Sequence, residues 1–441
     1  MSLLHLPVLL TTAFIDFAHW LDPRSRKRLT RIFLGILLAR GRRTCTSWFR
    51  PPAITHEFRP AYNTINAVGR KINSMAVTTL STVEPLLSTR RLTVALDDTP
   101  TPRSGPKVQG CGIHHNPTPG PTGQKFLHGH VWVTIAAIVR HPQWDTIALP
   151  LQAQLYVRKT DIENLPPEQR RPFQTKLQQA VDQLKWLKSW TEDRFEERWV
   201  LVDGGYSNKP FLSPAQSEGW VVVGRLRKDA ALWSLPKPKR QGQPGPAPTY
   251  GKEHLSLAKR AGHKSGWEQV ECVQYGKNLT KKIKTFEATW RPAGGRIRVV
   301  LIREEHGWVA FFCTKTDATV VEILESAADR GAIEQTFHDV KEVWGAGQQQ
   351  VRNIHSSEAC FNMNLWMYSV VEAWAWNQAD ECLSDRSASP WDSEPRRPSH
   401  NDKRKALQRE VLKSEIEECL SGRPTKERMR ALAERLLDLA A

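Results

Sequence analysis

The chain has 441 residues, more than one compact core takes up, so two to four units are expected. Its 63 Lys and Arg against 46 Asp and Glu leave a net charge of +17, which favours a polyanionic partner without separating DNA from RNA or an anionic membrane. No run of 18 apolar residues occurs, which excludes a helical membrane span; seven scattered cysteines without a C-x2-C pair argue for reduced, intracellular thiols.

The opening "MSLLHLPVLLTTAFIDF" is apolar but has no basic leader, and Pro7 and Asp16 interrupt it. It reads as a packed helix rather than a signal peptide. Residues 1–90 read as helical throughout. "DPRSRKRLTRIFLGILLARGRRTCTSWFR" puts Ile32, Leu34, Ile36, Leu37 and Leu38 in one amphipathic helix; Gly41 ends it, and Thr44 to Phe49 form a short second one. Arg24, Arg26, Lys27, Arg28, Arg31, Arg40, Arg42, Arg43 and Arg50 surround this helix–turn–helix-like unit. Such a basic pair can grip phosphates or enter a groove. A solvated surface on a structural cap accounts for it equally well.

Residues 91–228 change character. "RLTVALDD" is a β-rich run ending in acids, followed by a Gly/Pro-rich loop over 100–125. "HVWVTIAAIVR" and "WDTIALPLQAQL" are two strands with a hairpin signal between them. A long amphipathic helix follows in "PEQRRPFQTKLQQAVDQLKWLKSW". Then come a strand in "RWVLVDGG", a short helix in "KPFLSPAQSEG" and a strand in "WVVVGRL". Three hairpin-like strands followed by alternating helices and strands imply an α/β fold of ribonuclease-H-like order, a mixed sheet with helices on its faces. Residues 229–318 interrupt it with a basic Pro/Gly loop and four predicted antiparallel strands, an inserted β-subdomain. The core resumes over 319–378, ending in the apolar helix "SEACFNMNLWMYSVVEAWAW". Residues 379–441 are a Ser/Pro/Asp/Arg linker and a helical tail that packs, dimerises or touches DNA.

Sites in open α/β sheets form at the carboxyl ends of strands. Acids stand there: Asp97 and Asp98 after the first strand, Asp203 after the fourth. A third position lies in "RGAIEQTFHDVKEVWG", residues 330–345, read as one helix. At 100° per residue, Glu334 lies about 40° and Lys341 about 20° round the helix from Arg330. The three share one stripe beside the apolar stripe of Ile333, Phe337, Val340 and Trp344. Converging carboxylates repel one another, and a pair of divalent cations removes that repulsion. Hard oxygen ligands suit Mg²⁺ or Mn²⁺, and two such ions about 4 Å apart serve in-line phosphoryl transfer. Glu334 supplies the third carboxylate in this reading, while Arg330 and Lys341 hold flanking phosphates. Each acid also has a plain role available: a turn former at Asp97–Asp98 and at Asp203, a local ion-pair ladder at Glu334.

The ordered set resembles the DDE transposases of bacterial insertion sequences, in the branch marked Y-x2-R-x3-E-x6-K. "RGAIEQTFHDVK" fits R-x3-E-x6-K without a gap at Arg330, Glu334 and Lys341. "ALDDTPTPRSG" is similar to the first-Asp motif; the Asp directly before Thr is the usual ligand there, which favours Asp98, with Asp97 as the alternate. "VLVDGGYSNKPF" is similar to the second-Asp motif and gives Asp203; "GRRTCTSWFR", "GHVWV", "GRLRKDAALW" and "RRPSHNDKRKAL" are further similar stretches. Ala327 takes the Tyr position, so the phosphate contact that the family Tyr makes is absent here or comes from elsewhere.

The resemblance implies a Mg²⁺-dependent (or Mn²⁺-dependent) transposase with two ions per site. Its partners would be transposon ends and target DNA rather than a membrane. It would act as a homodimer on DNA in a bacterial cytoplasm. A decayed DNA-binding protein and a stand-alone endonuclease are the alternatives. His114, His115, His128 and His130 suggest a metal cluster, but without Cys partners and with His130 inside a strand pattern zinc is not expected; His114 and His115 lie in a basic loop that reaches toward DNA. One of Trp267, Trp290 and Trp308 in the insertion is implied to stack on an extruded base, and Arg225, Arg227 and Lys228 are candidate phosphate contacts.

Overall fold

The structure, a computed structural model, describes residues 6–116, 123–239, 244–384, 391 and 396–421, with isolated positions between 425 and 436. The N-terminal region holds α1 (Val8–His19), α2 (Pro23–Leu38), α3 (Cys45–Phe49), α4 (Phe58–Gly69) and α5 (Ile72–Val83). The Asp22 carboxylate accepts from the Arg24 and Ser25 amides and Pro23 opens the first turn, which starts α2 where the sequence signals a helix. The expected α2–turn–α3 pair forms, packed so closely that a Cβ at Gly35 would meet the Trp48 carbonyl oxygen at 1.8 Å.

The catalytic-core candidate follows as β1 (Arg91–Pro102), β2 (Gly112–His115), β3 (Phe126–His141), β4 (Asp145–Tyr156), α6 (Lys159–Ile162), α7 (Lys176–Thr191), β5 (Glu197–Val202), α8 (Lys209–Ser217) and β6 (Val221–Leu226). The next stretch holds β7 (Leu232–Trp233), β8 (His254–Leu255), α9 (Leu257–Gly262), β9 (Glu268–Gln274), β10 (Lys277–Trp290), β11 (Gly295–Glu304) and β12 (Gly307–Cys313). Then come α10 (Val320–Asp329), α11 (Ala332–Glu342), α12 (Ile354–Ala375), α13 (Asp380–Leu383) and α14 (His400–Ser421).

β4, β3 and β1 pair antiparallel, β1 and β5 parallel, and β5 and β6 parallel. This mixed sheet with α7 and α8 between its strands is compatible with a ribonuclease-H-like fold. The insertion does not stand apart as a second sheet. β12 pairs with β6 from Ala310↔Leu226 to Cys313↔Val223, so β12, β11 and β10 continue the central sheet and cover the edge that β6 would otherwise expose.

β1 also departs from expectation. It does not end at its acids, because β3 stays paired with it through Asp97↔Thr134 and on to Pro102↔Gly129. Its parallel partner β5 stops at Ala95↔Leu201, so the acids stand where β5 leaves. Alternation then assigns faces. Ala95, Trp199, Leu201 and Val223 pack against Ile323 and Leu324 of α10 and Ile333 and Phe337 of α11. Val94, Leu96, Val200 and Val202 join the larger core with Leu184 of α7, Phe211 of α8 and much of α12.

α12 is buried along its length, as its composition predicts. Asn362 bonds both backbone groups of Ala153, and Trp366 donates to the Leu151 carbonyl, which fixes α12 along β4. α14 packs rather than projecting: Arg404 donates to the Leu37 and Ala39 carbonyls at the end of α2, and Gln408 also donates to Leu37. The basic stretch "RRPSHNDKRKAL" is therefore partly spent inside the molecule, with His400, Lys403 and Arg404 all buried.

Residues 330–345 do not form one helix. α10 ends at Asp329 and α11 begins at Ala332. Arg330 and Gly331 nevertheless keep right-handed dihedrals, φ −54°, ψ −34° and φ −60°, ψ −22°. The helical phase carries across the joint, which is why Arg330 still reaches Glu334.

Candidate active site

A cleft of about 1650 Å³ opens at the carboxyl ends of β1, β5 and β6. Asp97, Asp98, Asp203, Arg330, Glu334 and Lys341 all line it. Sequence-distant residues thus meet in one cavity, but they are not equivalent within it.

Asp97 faces α11. Its register follows Ala95, and Ala95 pairs with Leu201, so Asp97 shares a strand phase with Asp203 two residues further along each strand. Its Oδ2 accepts from Arg330 Nη2 at 2.5 Å and its Oδ1 from the Asp98 amide at 2.8 Å. Burial pushes the Asp97 carboxyl up to about 7; Arg330 pulls it down, while Asp203 and Asp98 add to the rise. Asp98 points to the opposite face. Lys176, the first residue of α7, holds it at 2.6 Å, and the Tyr206 hydroxyl donates to it at 3.4 Å. Asp203 follows β5, where its Oδ1 accepts from the Gly205 and Tyr206 amides at 2.9 and 3.2 Å. Asp203 also lines the cleft.

Glu334 lies in the first turn of α11 and meets Arg330 Nη1 at 2.5 Å, with 63% of its side chain exposed. Arg330 is thus a bridge between Asp97 and Glu334. Lys341 is half-buried beside them; burial lowers its ammonium pKa, against the opposing pull of Glu342 and Asp97. Among the described residues, no three His, Cys, Asp or Glu side chains lie close enough to hold a metal ion. The arrangement has Arg330 where converging carboxylates would need a cation. The donors fit a hard divalent ion in kind: they are carboxylate oxygens, and the Asp97 carboxyl, raised by burial and by its acidic neighbours, is one that a cation would relieve.

Arg225, Arg227 and Lys228, the other expected phosphate contacts, line the same cleft; Arg227 also pairs with Asp229, and Lys228 stands 5.4 Å from the Trp308 ring. Trp290 is core, whereas Trp267 lies under Lys284 and Arg303 at 4.8 and 5.6 Å. His130 is buried against the Gln109 carbonyl, and burial pushes it down to about 3. His114 is pushed down to about 4 by burial, with Arg158 and Lys176 adding to the fall. His128 also lines the cleft, its Nδ1 at 3.1 Å from the Arg103 carbonyl.

Three side chains at the site carry no strong sequence signal. Tyr206 sits in the quoted second-Asp stretch but shows its use only once it reaches Asp98. Lys176 follows the Thr175 cap, which fixes a helix start but no direction. Tyr275 comes from "VQYGK", where a Tyr-Gly pair between two strands marks a hairpin turn and nothing more.

A family model described as DDE superfamily endonuclease matches residues 16–294. The match includes Asp97, Asp98 and Asp203 and stops before the helix that carries Glu334. No curated protein matches the chain. With well over half of the sequence inside the matched span, and its acids gathered in one cleft, the chain belongs to the DDE superfamily of endonucleases.

Proposed function

We propose that the protein is the transposase of a bacterial insertion sequence, acting on DNA as a dimer in the cytoplasm. It binds the terminal inverted repeats of its element through residues 1–90 and the β-insertion. It hydrolyses a phosphodiester at each end: water attacks phosphorus, the bond to the 3′ oxygen breaks, and that oxygen leaves as a 3′-OH. The same cleft then directs this 3′-OH against a target phosphodiester.

The observation that carries this reading is Arg330 bridging Asp97 and Glu334, with Asp203 lining the same cleft. Asp97, Asp203 and Glu334 are the proposed metal holders, with Asp98, which the resemblance favours, as the competing first acid. Two Mg²⁺ or Mn²⁺ ions, when bound, supply an acidified water and positive charge for the leaving oxygen. Glu334 gives up Arg330 to take part. The freed guanidinium and Lys341 then bind phosphates next to the scissile bond, Arg330 bidentately and Lys341 as a point charge. The partial burial of Lys341 supports this role, since a desolvated ammonium meets a phosphate more strongly than a hydrated one.

A non-catalytic DNA-binding protein is the second reading, favoured by Ala327 and by the pairing of Glu334 with Arg330. A stand-alone endonuclease that cuts without joining is a third. Cleavage of the element ends in Mg²⁺ by wild type and Glu334→Gln decides against or for the second: the substitution is expected to abolish cutting and leave DNA binding in place. Equal cutting by both proteins overturns the role given to Glu334. Strand-joining assays with pre-cut ends separate the transposase from the nuclease.

A further inference from the structure

Tyr275 stands at the tip of the β9–β10 hairpin, between Gln274 and Lys277, which pair directly. Tyr275 and Gly276 form the two-residue turn with φ of +54° and +69°. Such a turn suits Asn, Asp or Gly at its first position, and a ring-bearing residue is disfavoured there. The ring is also 71% exposed, so burial does not compensate for the backbone. Strain of this kind in a cleft wall points to use.

The hairpin tip is held in place. Gln274, itself buried, donates to the Leu324 carbonyl of α10 at 3.1 Å, and the Val273 amide donates to Glu325 at 3.1 Å. Tyr275 therefore projects over the α10–α11 joint at a fixed place. A Cβ built on Gly331 would lie 3.9 Å from Tyr275 Cε1, the ring carbon next to the one bearing the hydroxyl. The phenol end, not the root of the side chain, reaches the joint. Tyr275, Ala327, Arg330 and Gly331 all line the active cleft. Ala327 is four residues before Gly331, so a side chain at 327 points to the same patch of helix surface.

We propose that Tyr275 is a DNA-positioning residue whose hydroxyl donates to a phosphate beside Arg330, filling from the insertion hairpin the place that Ala327 leaves empty. This rests on the transposase reading, in which Arg330 binds the strand. The placement of the phenol end against the joint favours a hydroxyl contact over a base stacked on the ring. A neutral donor beside Arg330 adds direction to a charge that otherwise attracts any phosphate.

The test uses full-length protein in a Glu334→Gln background, so that DNA is held uncut, and a fluorescein-labelled duplex taken from a repeat flanking the gene. Tyr275→Phe is expected to weaken binding about tenfold, as loss of a hydrogen bond to a charged group does. The slope of log affinity against log salt stays unchanged, because a neutral donor displaces no counterion. Melting temperature stays unchanged as well. Adding Ala327→Tyr restores affinity to within about twofold. Binding by Tyr275→Phe at the wild-type level overturns the proposal, as does loss in Tyr275→Ala with full binding in Tyr275→Phe, which would mark a stacking ring. A loss that Ala327→Tyr fails to repair overturns the shared position. Failure of the transposase reading shows separately, as cutting that survives Glu334→Gln.

Discussion

Two buried carboxylates in this molecule have opposite fates. Glu372, in α12, accepts from His400 Nδ1 and from Lys403 Nζ, each at 2.6 Å. The Trp344 indole donates to His400 Nε2 at 2.7 Å, so the His400 proton sits on Nδ1 and points at Glu372. Burial alone would raise the Glu372 carboxyl; Lys403 and His400 more than offset it and bring it down to about 2. Asp97 is ion-paired with Arg330 but has acidic neighbours, and it is pushed up to about 7. A fully satisfied buried charge is architecture, here joining α14 to α12 and to Trp344 beyond α11. An incompletely satisfied one in a cleft is a functional-site candidate.

The sharpest way to break that contrast is to neutralise each carboxylate. If Asp97 holds metal as proposed, Asp97→Asn lowers the rate of DNA cutting by about a thousandfold or more, because such a carboxylate acts in the reaction itself. The same variant should be more stable than wild type at pH 8, by up to about 4 kcal/mol. The sign follows from the raised pKa. Its contribution to stability is complete below the ordinary carboxyl value of 3.8 and is lost as pH rises through about 7. The stability gap between variant and wild type should therefore close toward pH 4, read by urea unfolding across that range. A gap that does not depend on pH would remove the strain assigned to Asp97.

Glu372→Gln should behave in the reverse manner. It leaves Lys403 buried without its carboxylate, a loss on the order of 3–5 kcal/mol. Cutting per folded molecule should remain near wild type. Here the folded-state pKa lies below the ordinary 4.5, so the pair's contribution is present above that value and is lost as pH falls toward about 2. Wild type should thus lose its advantage over Glu372→Gln only in acid. Loss of cutting in soluble, folded Glu372→Gln would make the α14 latch part of the active machinery.

A smaller effect is expected from metal. Mn²⁺ at a hundred times its dissociation constant should stabilise wild type by about 2.7 kcal/mol, and chelation should reverse this. Asp97→Asn and Glu334→Gln should each lose most of the gain, whereas Glu372→Gln should keep it. Equal stabilisation of all four proteins would place the ion outside the cleft.

The sequence made the sheet legible because its signals are local. Alternation in "HVWVTIAAIVR", the acid ending "RWVLVDGG" and the Thr175 and Thr319 caps each act over a few residues. The stripe of Arg330, Glu334 and Lys341 was legible for the same reason, even though the helix breaks at Gly331, since the turn keeps helical dihedrals. What stayed hidden depends on partners far along the chain. That β12 pairs with β6 is set by the edge each leaves open. That Lys176 meets Asp98 and Arg330 meets Asp97 is set by which face of β1 each element packs on, and that Tyr275 leans over Gly331 by how its hairpin docks on α10. A helix period gives a stripe, but not the direction in which the stripe looks.

That limit bears on the choice between the neighbours on β1. The motif places the first catalytic acid directly before Thr99, at Asp98, whereas the strand phase puts Asp97 on the face of Arg330 and α11. Asp98, on the α7 face, is already paired with Lys176 and accepts from Tyr206. That posture fits a residue that orients α7 and Tyr206 behind the proposed site. Asp98→Asn should then slow cutting only about tenfold, the effect of a displaced neighbour rather than a lost ligand. Lys176→Met should slow it by a similar factor, and the double variant by little more than either alone, because both changes break one pair. A thousandfold loss in Asp98→Asn with near-normal cutting by Asp97→Asn would exchange the two roles. It would require β1 to shift by one residue, or its acids to turn, when DNA and metal enter the cleft.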